Sequence, residues 1–123
     1  MKIFAKIMTL SLLILTIAVG CSKQVFDGSV TGNDEQFLLD FSILNTTKTH
    51  DIKLEKGQNV DVVFEIESGK LEIFVEDTSG EKIYEGNTGT SGEFTLGIPK
   101  TDTYKISVTG RDAKGNISFK VRM

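Results

Sequence analysis

From Phe37 onward, apolar and polar residues alternate with a period of two along most of the chain. Successive side chains of a strand point to opposite faces, so this alternation predicts strands with one buried and one solvated face. The predicted inward-facing runs are Phe37/Leu39/Phe41/Ile43, Ile52/Leu54, Val60/Val62/Phe64/Ile66, Leu71/Ile73/Val75, Phe94/Leu96/Ile98, Tyr104/Ile106/Val108 and Ile117/Phe119/Val121. The pattern predicts an all-β fold, namely a small antiparallel β-sandwich of seven to eight short strands with a jelly-roll-like arrangement.

Segments containing Gly, Asn, Asp and Ser separate these runs, and such residues favour turns. Among them, Ser68-Gly69 has the length and composition of a two-residue hairpin turn between the runs at 60–66 and 71–75. In that hairpin the residue numbers of each facing pair add up to 137. The other predicted turns are Glu55–Asn59, Asp77–Gly80, Gly86–Gly89 and Asp112–Asn116.

The first twenty residues follow a different pattern. Lys2 and Lys6 precede an uncharged apolar run at residues 7–19. Its length of about 13 residues is short of the roughly 20 that a membrane-spanning helix needs, and it suits the apolar part of a secretory signal. We therefore expect residues 1–20 to be a signal helix that is removed, which leaves room for one domain.

The chain contains a single cysteine, and a free thiol on an exported protein is a reactive liability. The residues before it, Ile17-Ala18-Val19-Gly20, end in small side chains directly at Cys21. This segment resembles a bacterial lipobox, although Ala18 stands where that family prefers Leu. The resemblance implies cleavage between Gly20 and Cys21 and attachment of a diacylglyceryl group, with palmitate-type chains, to the thiol.

An acylated Cys21 implies a place outside the cytoplasm, with the membrane as a partner. The lipid would hold the protein on the cell membrane or the outer membrane. Residues 21–35 are predicted to be the lipidated cysteine and a flexible tether, with an optional edge strand at Gln24–Val30, and residues 36–123 to be the sandwich.

Residues for catalysis are scarce. His50 is the only imidazole, and acylation would consume the only thiol, so Ser–His, Cys–His and zinc chemistry lack their usual groups. We expect His50 to be a solvated loop residue, and we expect no catalytic residue and no cofactor other than calcium. The formal net charge of −3, with lysines scattered along the chain, also argues against a nucleic-acid partner.

The predicted hairpin at Ser68-Gly69 creates one candidate binding face. Its outer side would oppose Glu65 with Glu72 and Asp61 with Glu76, and like charges in facing positions repel. Between them lie the two apolar residues Val63 and Phe74. The repulsion could be relieved by Lys53 or Lys105 on a neighbouring strand, by a calcium ion, or by a basic partner protein.

The stretch from Asn59 to Val121 resembles the bacterial pre-peptidase C-terminal family of β-sandwich modules. The residues that carry the likeness are Leu71-Glu72-Ile73-Phe74-Val75-Glu76-Asp77, a strand that ends in an acidic turn, and Lys100-Thr101-Asp102-Thr103-Tyr104-Lys105-Ile106-Ser107-Val108. The resemblance implies a non-catalytic module, and some members of the family bind calcium.

Three functions fit these observations. The first is a membrane-anchored, non-enzymatic β-sandwich that presents a binding or structural surface to an envelope protein or a polysaccharide. The second is a surface-tethered inhibitor or accessory subunit of an envelope enzyme, which would insert the loop Gly86–Gly92. The third is a calcium-assisted adhesion module, which follows from the family resemblance and the acidic turns.

Overall fold

The computed structural model describes residues 23–122. It contains seven antiparallel strands: β1 (Val25–Gly32), β2 (Gln36–Asn45), β3 (Thr47–Leu54), β4 (Asn59–Glu76), β5 (Lys82–Thr88), β6 (Gly92–Gly97) and β7 (Asp102–Arg122). The predicted all-β class is confirmed. No helix within residues 23–122 has the length and apolar character to cross a membrane.

Two long strands form the frame of the fold. β4 and β7 pair from Asn59↔Arg122 to Glu76↔Lys105. The first half of β4 also pairs with β6, and its second half pairs with β5. Likewise, the second half of β7 pairs with β2, which carries β1 on its other edge, and the first half of β7 pairs with β3. Each half of the frame therefore has its own set of neighbours.

The frame is bent in the middle. The β4–β7 register shifts around Ser68, and three residues with positive φ lie there: Gly69 at 78°, Asp112 at 48° and Gly115 at 148°. A Cβ atom on Gly115 would lie 1.9 Å from the carbonyl oxygen of Glu65. These positions allow two strands to change direction together while they remain hydrogen-bonded.

Because of the bend, the open sheet folds over so that its two halves face each other as a sandwich. Layer A has the strand order β1-β2-β7-β4-β6, and layer B has the order β3-β7-β4-β5. Ring contacts join the layers: Phe37 of β2 stacks on His50 of β3 with centroids 5.1 Å apart, and Tyr84 of β5 stacks on Phe94 of β6 at 4.4 Å. The sandwich is thus a single folded sheet.

The core lies between the two layers. Its largest fully buried side chains are Tyr104, Phe37, Phe41, Phe119, Leu39, Leu44, Leu54, Leu71, Ile73, Ile106, Ile117 and Val62. Most of the inward-facing residues predicted from the alternation are buried. At the end of β2, however, Leu44 is buried and the predicted Ile43 is only half-buried, because the β2–β7 register shifts between Phe41 and Leu44.

The predicted hairpin at Ser68-Gly69 is wrong. Residues 60–66 and 71–75 belong to one continuous strand, and both halves pair with β7 instead of with each other. The turn predicted at Asp112–Asn116 is wrong for the same reason, since it lies inside β7. Both segments do contain residues with positive φ, but the chain uses them to bend a strand instead of reversing it.

Part of the segment predicted to be a flexible tether is a strand. β1 occupies residues 25–32 and pairs with β2, so the sheet begins before residue 36 and the optional edge strand is present. Asn33 then closes the β1–β2 turn through its side-chain oxygen, which accepts hydrogen bonds from the backbone of Glu35 and Gln36. The predicted signal at 1–20 and Cys21 lie outside the described residues.

Candidate functional site

The six residues of the predicted binding face do not share one surface. Asp61, Val63 and Glu65 lie on the first half of β4, beside β6 and the second half of β7. Glu72, Phe74 and Glu76 lie beyond the bend, beside β5 and the first half of β7. The first group belongs to the outer face of layer A and the second to the outer face of layer B.

On layer A, the charge of Asp61 is balanced by neighbouring strands. The Arg122 guanidinium forms a two-pronged ion pair with it, and the Thr95 hydroxyl donates to its Oδ1 at 3.0 Å. These hydrogen bonds lower the pKa of Asp61, and the bond from Arg122 has the largest effect. Val63 remains 41% exposed between Glu93 and Ser118 in register. This half of the face is a paired acid beside one exposed aliphatic side chain.

On layer B, Phe74 lies at the side of a shallow depression of about 420 Å³ lined by Glu72, Glu85, Gly86 and Asn87. Lys82 places its ammonium 4.9 Å from the ring centroid of Phe74 and 3.2 Å from a carboxylate oxygen of Glu85. The ring therefore already has a cation over its face, supplied by β5 of the same chain.

The facing acid pairs expected in the hairpin do not form, because the bend separates Asp61 and Glu65 from Glu72 and Glu76. Glu72 accepts from Nε of Arg111 at 3.1 Å, and Lys105 lies opposite Glu76 in register. Lys105 is one of the lysines expected to compensate the acids, whereas the arginines were not foreseen. Within residues 23–122, no three histidine, cysteine or carboxylate side chains are grouped so that they could hold a metal ion. Calcium binding by this chain stays a prediction.

A cluster of buried and paired charges lies elsewhere, between the turn after β4 and the connection from β6 to β7. The side chain of Asp77 is 1% exposed, and its Oδ2 is 3.0 Å from the Lys100 ammonium. Its Oδ1 accepts hydrogen bonds from Ser79 N, Ser79 Oγ and Glu81 N at 2.6–3.0 Å. The Ser79 hydroxyl, followed by Lys100, holds the pKa of Asp77 far below its usual range.

Two further residues complete this Asp77–Lys100 cluster. Asp102 accepts from the backbone N–H of Thr103 at 2.8 Å and from the backbone and hydroxyl of Thr78, and these bonds lower its pKa. The buried Tyr104 hydroxyl donates to the carbonyl of Lys100, while burial raises the pKa of Tyr104. The cluster ties two turns together. In the sequence, this cluster was indicated by the acidic turn at Asp77 and by the segment Lys100–Tyr104.

His50 is not a solvated loop residue. It lies within β3, is half-buried against Phe37, and its Nε2 is 2.8 Å from the carbonyl oxygen of Asn33. A Cβ atom on Gly32 would lie 2.8 Å from its Nδ1, so the backbone closes over the second nitrogen. The ring therefore packs the β1–β2 turn onto layer B.

A depression lies where the turns meet, at the end of the sandwich opposite the bend. We call this the mouth end, formed by the turns at 33–35, 55–58, 77–81 and 98–101. Hydrogen bonds connect these turns, including Gly57 N to the Ile98 carbonyl at 2.9 Å and Lys56 N to the Thr101 hydroxyl at 3.0 Å. The depression has a volume of about 520 Å³ and is lined by Asp34, Lys53, Leu54, Glu55, Gln58, Thr101, Asp102, Thr103 and Val121.

Solved structures similar to this chain include the following three. A CBM4 structure has a TM-score of 0.49 and 11% identity, covering 84% of this chain and 78% of its own. The Aeromonas hydrophila periplasmic inhibitor of g-type lysozyme has a TM-score of 0.49 and 14% identity, with coverages of 76% and 92%. The pre-peptidase C-terminal domain of a Bacillus anthracis collagenase has a TM-score of 0.45 and 14% identity, with coverages of 82% and 90%.

No protein-family model matches the sequence, and no curated protein is significantly similar to it. The three TM-scores are below 0.5 and the three identities are below 15%. The fold therefore rests on the strands and registers of this chain, and the function on its own residues.

Proposed function

We propose that this chain is a bacterial lipoprotein, anchored through an acylated Cys21, whose β-sandwich is a non-enzymatic binding module outside the cytoplasm. The observation that carries the proposal is Gly20-Cys21 at the end of a short uncharged apolar run, with this cysteine as the only one in the chain. Two or three acyl chains meet the requirement for lasting attachment to a bilayer.

The mouth end offers the most suitable place for a ligand. A volume of about 520 Å³ falls in the range of small-molecule sites, which is roughly 300–1,000 Å³. Leu54 and Val121 give the depression an apolar part, and carboxylates and Lys53 stand around it. We assign the binding surface to this end, with an envelope protein or a polysaccharide as the partner.

The inhibitor alternative receives less support. Of the loop Gly86–Gly92, the first three residues belong to β5 and the last begins β6, so only residues 89–91 connect the strands. The Thr88 hydroxyl donates to the Thr90 carbonyl at 2.9 Å, and Ser91 Oγ accepts from Ile66 N at 3.0 Å. A short connection fixed to β4 is poorly suited to reach into an enzyme's cleft.

The anchoring is tested with the Cys21→Ser variant. Wild type should carry a metabolically supplied fatty acid and sediment with membranes, whereas the variant should lose the label and either become soluble or remain an uncut precursor. Label retained by the variant, or absent from wild type, would refute the proposal.

The binding surface is tested with charge reversals on the lipidated protein. Asp34→Lys/Glu55→Lys changes the mouth end, and Glu85→Lys/Glu93→Lys is the matched control on the outer faces. We expect a partner recovered from bacterial envelope to be lost only with the first pair. If the partner is lost only with the control pair, the binding surface lies on the outer strand faces and not at the mouth end.

A further inference from the structure

The described chain starts at one end of the sandwich, and hydrogen bonds fix it there. Asn45 donates through Nδ2 to the carbonyl oxygen of Lys23 at 2.8 Å and accepts through Oδ1 from the backbone of Asp112 at 3.1 Å. One side chain thus joins the beginning of the described residues, the end of β2 and the bend of β7.

The same end contains the bend of β4 and the β5–β6 connection. A Cβ atom on Gly69 would lie within 2.6 Å of backbone atoms of residues 111–113, and one on Gly89 would lie 3.6 Å from the Gly69 carbonyl oxygen. Gly110 N donates to the Thr46 carbonyl at 3.0 Å. We call this the bend end, formed by residues 23–28, 44–48, 67–70, 88–92 and 110–115.

The bend end is also the positive pole of an acidic domain. It contains five cations and three acids, whereas the other described residues contain seven cations and fourteen acids. The cations are Lys23, Lys48, Lys70, Arg111 and Lys114. Arg111 is paired with Glu72, while Lys23, Lys70 and Lys114 are exposed and take part in none of the ion pairs found among residues 23–122.

Cys21 precedes Lys23 by two positions, so an extended backbone separates them by no more than about 7 Å. A lipid on Cys21 therefore places the bend end next to the bilayer. We propose that the bend end rests against the headgroups of anionic phospholipids, with Lys23, Lys70 and Lys114 facing the phosphates, and that the mouth end points away from the membrane. This inference rests on the proposed anchoring.

Two physical effects support this orientation. Lysines near an anionic surface are attracted within roughly one Debye length, about 8–10 Å at moderate salt. The excess acids of the rest of the domain are repelled by the same surface, so both effects turn the positive pole towards the lipid. Along the first half of β4, the mouth end lies about 26 Å from the bend at roughly 3.3 Å per residue, outside that range.

The experiment measures which end of the lipidated protein is close to the lipid. Acylation blocks the thiol of Cys21, so a dye reacts only at an introduced cysteine, in Ser68→Cys at the bend end or in Lys56→Cys at the mouth end. The acceptor dye is carried by headgroups in vesicles of phosphatidylcholine and phosphatidylglycerol. We expect strong energy transfer from the Ser68→Cys protein and weak transfer from the Lys56→Cys protein.

The electrostatic contact is tested with two matched charge reversals in the Ser68→Cys protein. Lys70→Glu/Lys114→Glu should reduce the transfer, and Lys53→Glu/Lys56→Glu, which changes the net charge equally, should not. Thermal midpoints of both pairs verify that the fold is intact. In vesicles of phosphatidylcholine alone, which carry no net charge, we expect weaker energy transfer from the Ser68→Cys protein.

The outcomes separate the two proposals. If the protein floats with the vesicles but both dye positions transfer equally, or both reversal pairs act equally, the orientation is wrong and the anchor stands. If the wild-type protein does not float with the vesicles, the anchor is absent, and both proposals are overturned.

Discussion

Neighbouring residues on β4 have opposite environments, and the sequence predicts this correctly. Phe64 faces the core, where its ring packs edge-on against Phe94 at 6.2 Å, while Val63 points outward. We expect Phe64→Ala to lower the free energy of unfolding by about 3–5 kcal/mol through lost apolar contacts and the cavity left behind. Chemical denaturation measures this change. The matched control Val63→Thr should shift it by no more than about 0.5 kcal/mol, and equal effects would mean that the faces are assigned the wrong way round.

Asp77 makes the stability of the domain depend on pH on the acid side. Its pKa is depressed in the folded protein by Ser79 and Lys100, so it stabilises the fold above its unfolded pKa of about 3.9. That contribution is lost as the pH falls below about 4 towards the folded pKa.

The Asp77→Asn variant should therefore have a lower thermal midpoint than wild type at pH 7, because the Lys100 ammonium loses its buried partner. Its midpoint should also fall less steeply than that of wild type below about pH 4. Asp34→Asn, at an exposed turn position, is the control and should follow the wild-type curve. Parallel curves for wild type and Asp77→Asn would show that the Lys100 pair does not stabilise the fold.

At the scale of the elements, the bend of β4 and β7 decides the architecture. The buried residues of β4 are even-numbered before the bend and odd-numbered after it, as in Phe64 and Leu71. A two-residue hairpin turn and a bulged continuous strand both produce this switch from even-numbered to odd-numbered buried positions. The sequence therefore predicted the buried side chains of both halves correctly while the pairing between them was wrong.

Pairing depends on contacts between residues far apart in the chain, which local alternation does not contain. The same limit explains why the six residues of the predicted binding face do not share one surface. Asp61 and Glu72 lie eleven positions apart, and only the partners Arg122 and Arg111 on β7 show that each acid is balanced separately. By contrast, the Asp77–Lys100 cluster is formed by two turn segments that are visible in the sequence, although their contact is not.

The bend itself can be tested at Gly115. Its φ of 148° and its contact with the Glu65 carbonyl leave no room for a side chain, so Gly115→Ala should lower the free energy of unfolding by at least about 2 kcal/mol. Gly97→Ala is the control, because a Cβ atom there meets its nearest neighbour at 3.7 Å, an ordinary contact. Equal stability of the two variants in denaturant would contradict the bend.

At the scale of the whole molecule, the two ends of the sandwich have different roles in our account. The bend end holds the start of the described chain and the positive pole, and the mouth end holds the depression of about 520 Å³ and the Asp77–Lys100 cluster. A lipid on Cys21 would present the mouth end to the surroundings and keep the bend end at the membrane. The covalent state of Cys21 therefore decides whether the bend end lies at the membrane.

The most direct measurement is the mass of the first tryptic peptide of the mature protein. Trypsin cuts after Lys23, so correct processing yields Cys21-Ser22-Lys23 with a diacylglyceryl group on the thiol. We expect this lipid-modified peptide from the membrane fraction and no peptide that spans Gly20 and Cys21. A mature protein that begins at another residue, or that begins at Cys21 with an unmodified thiol, would contradict the proposed lipid anchor.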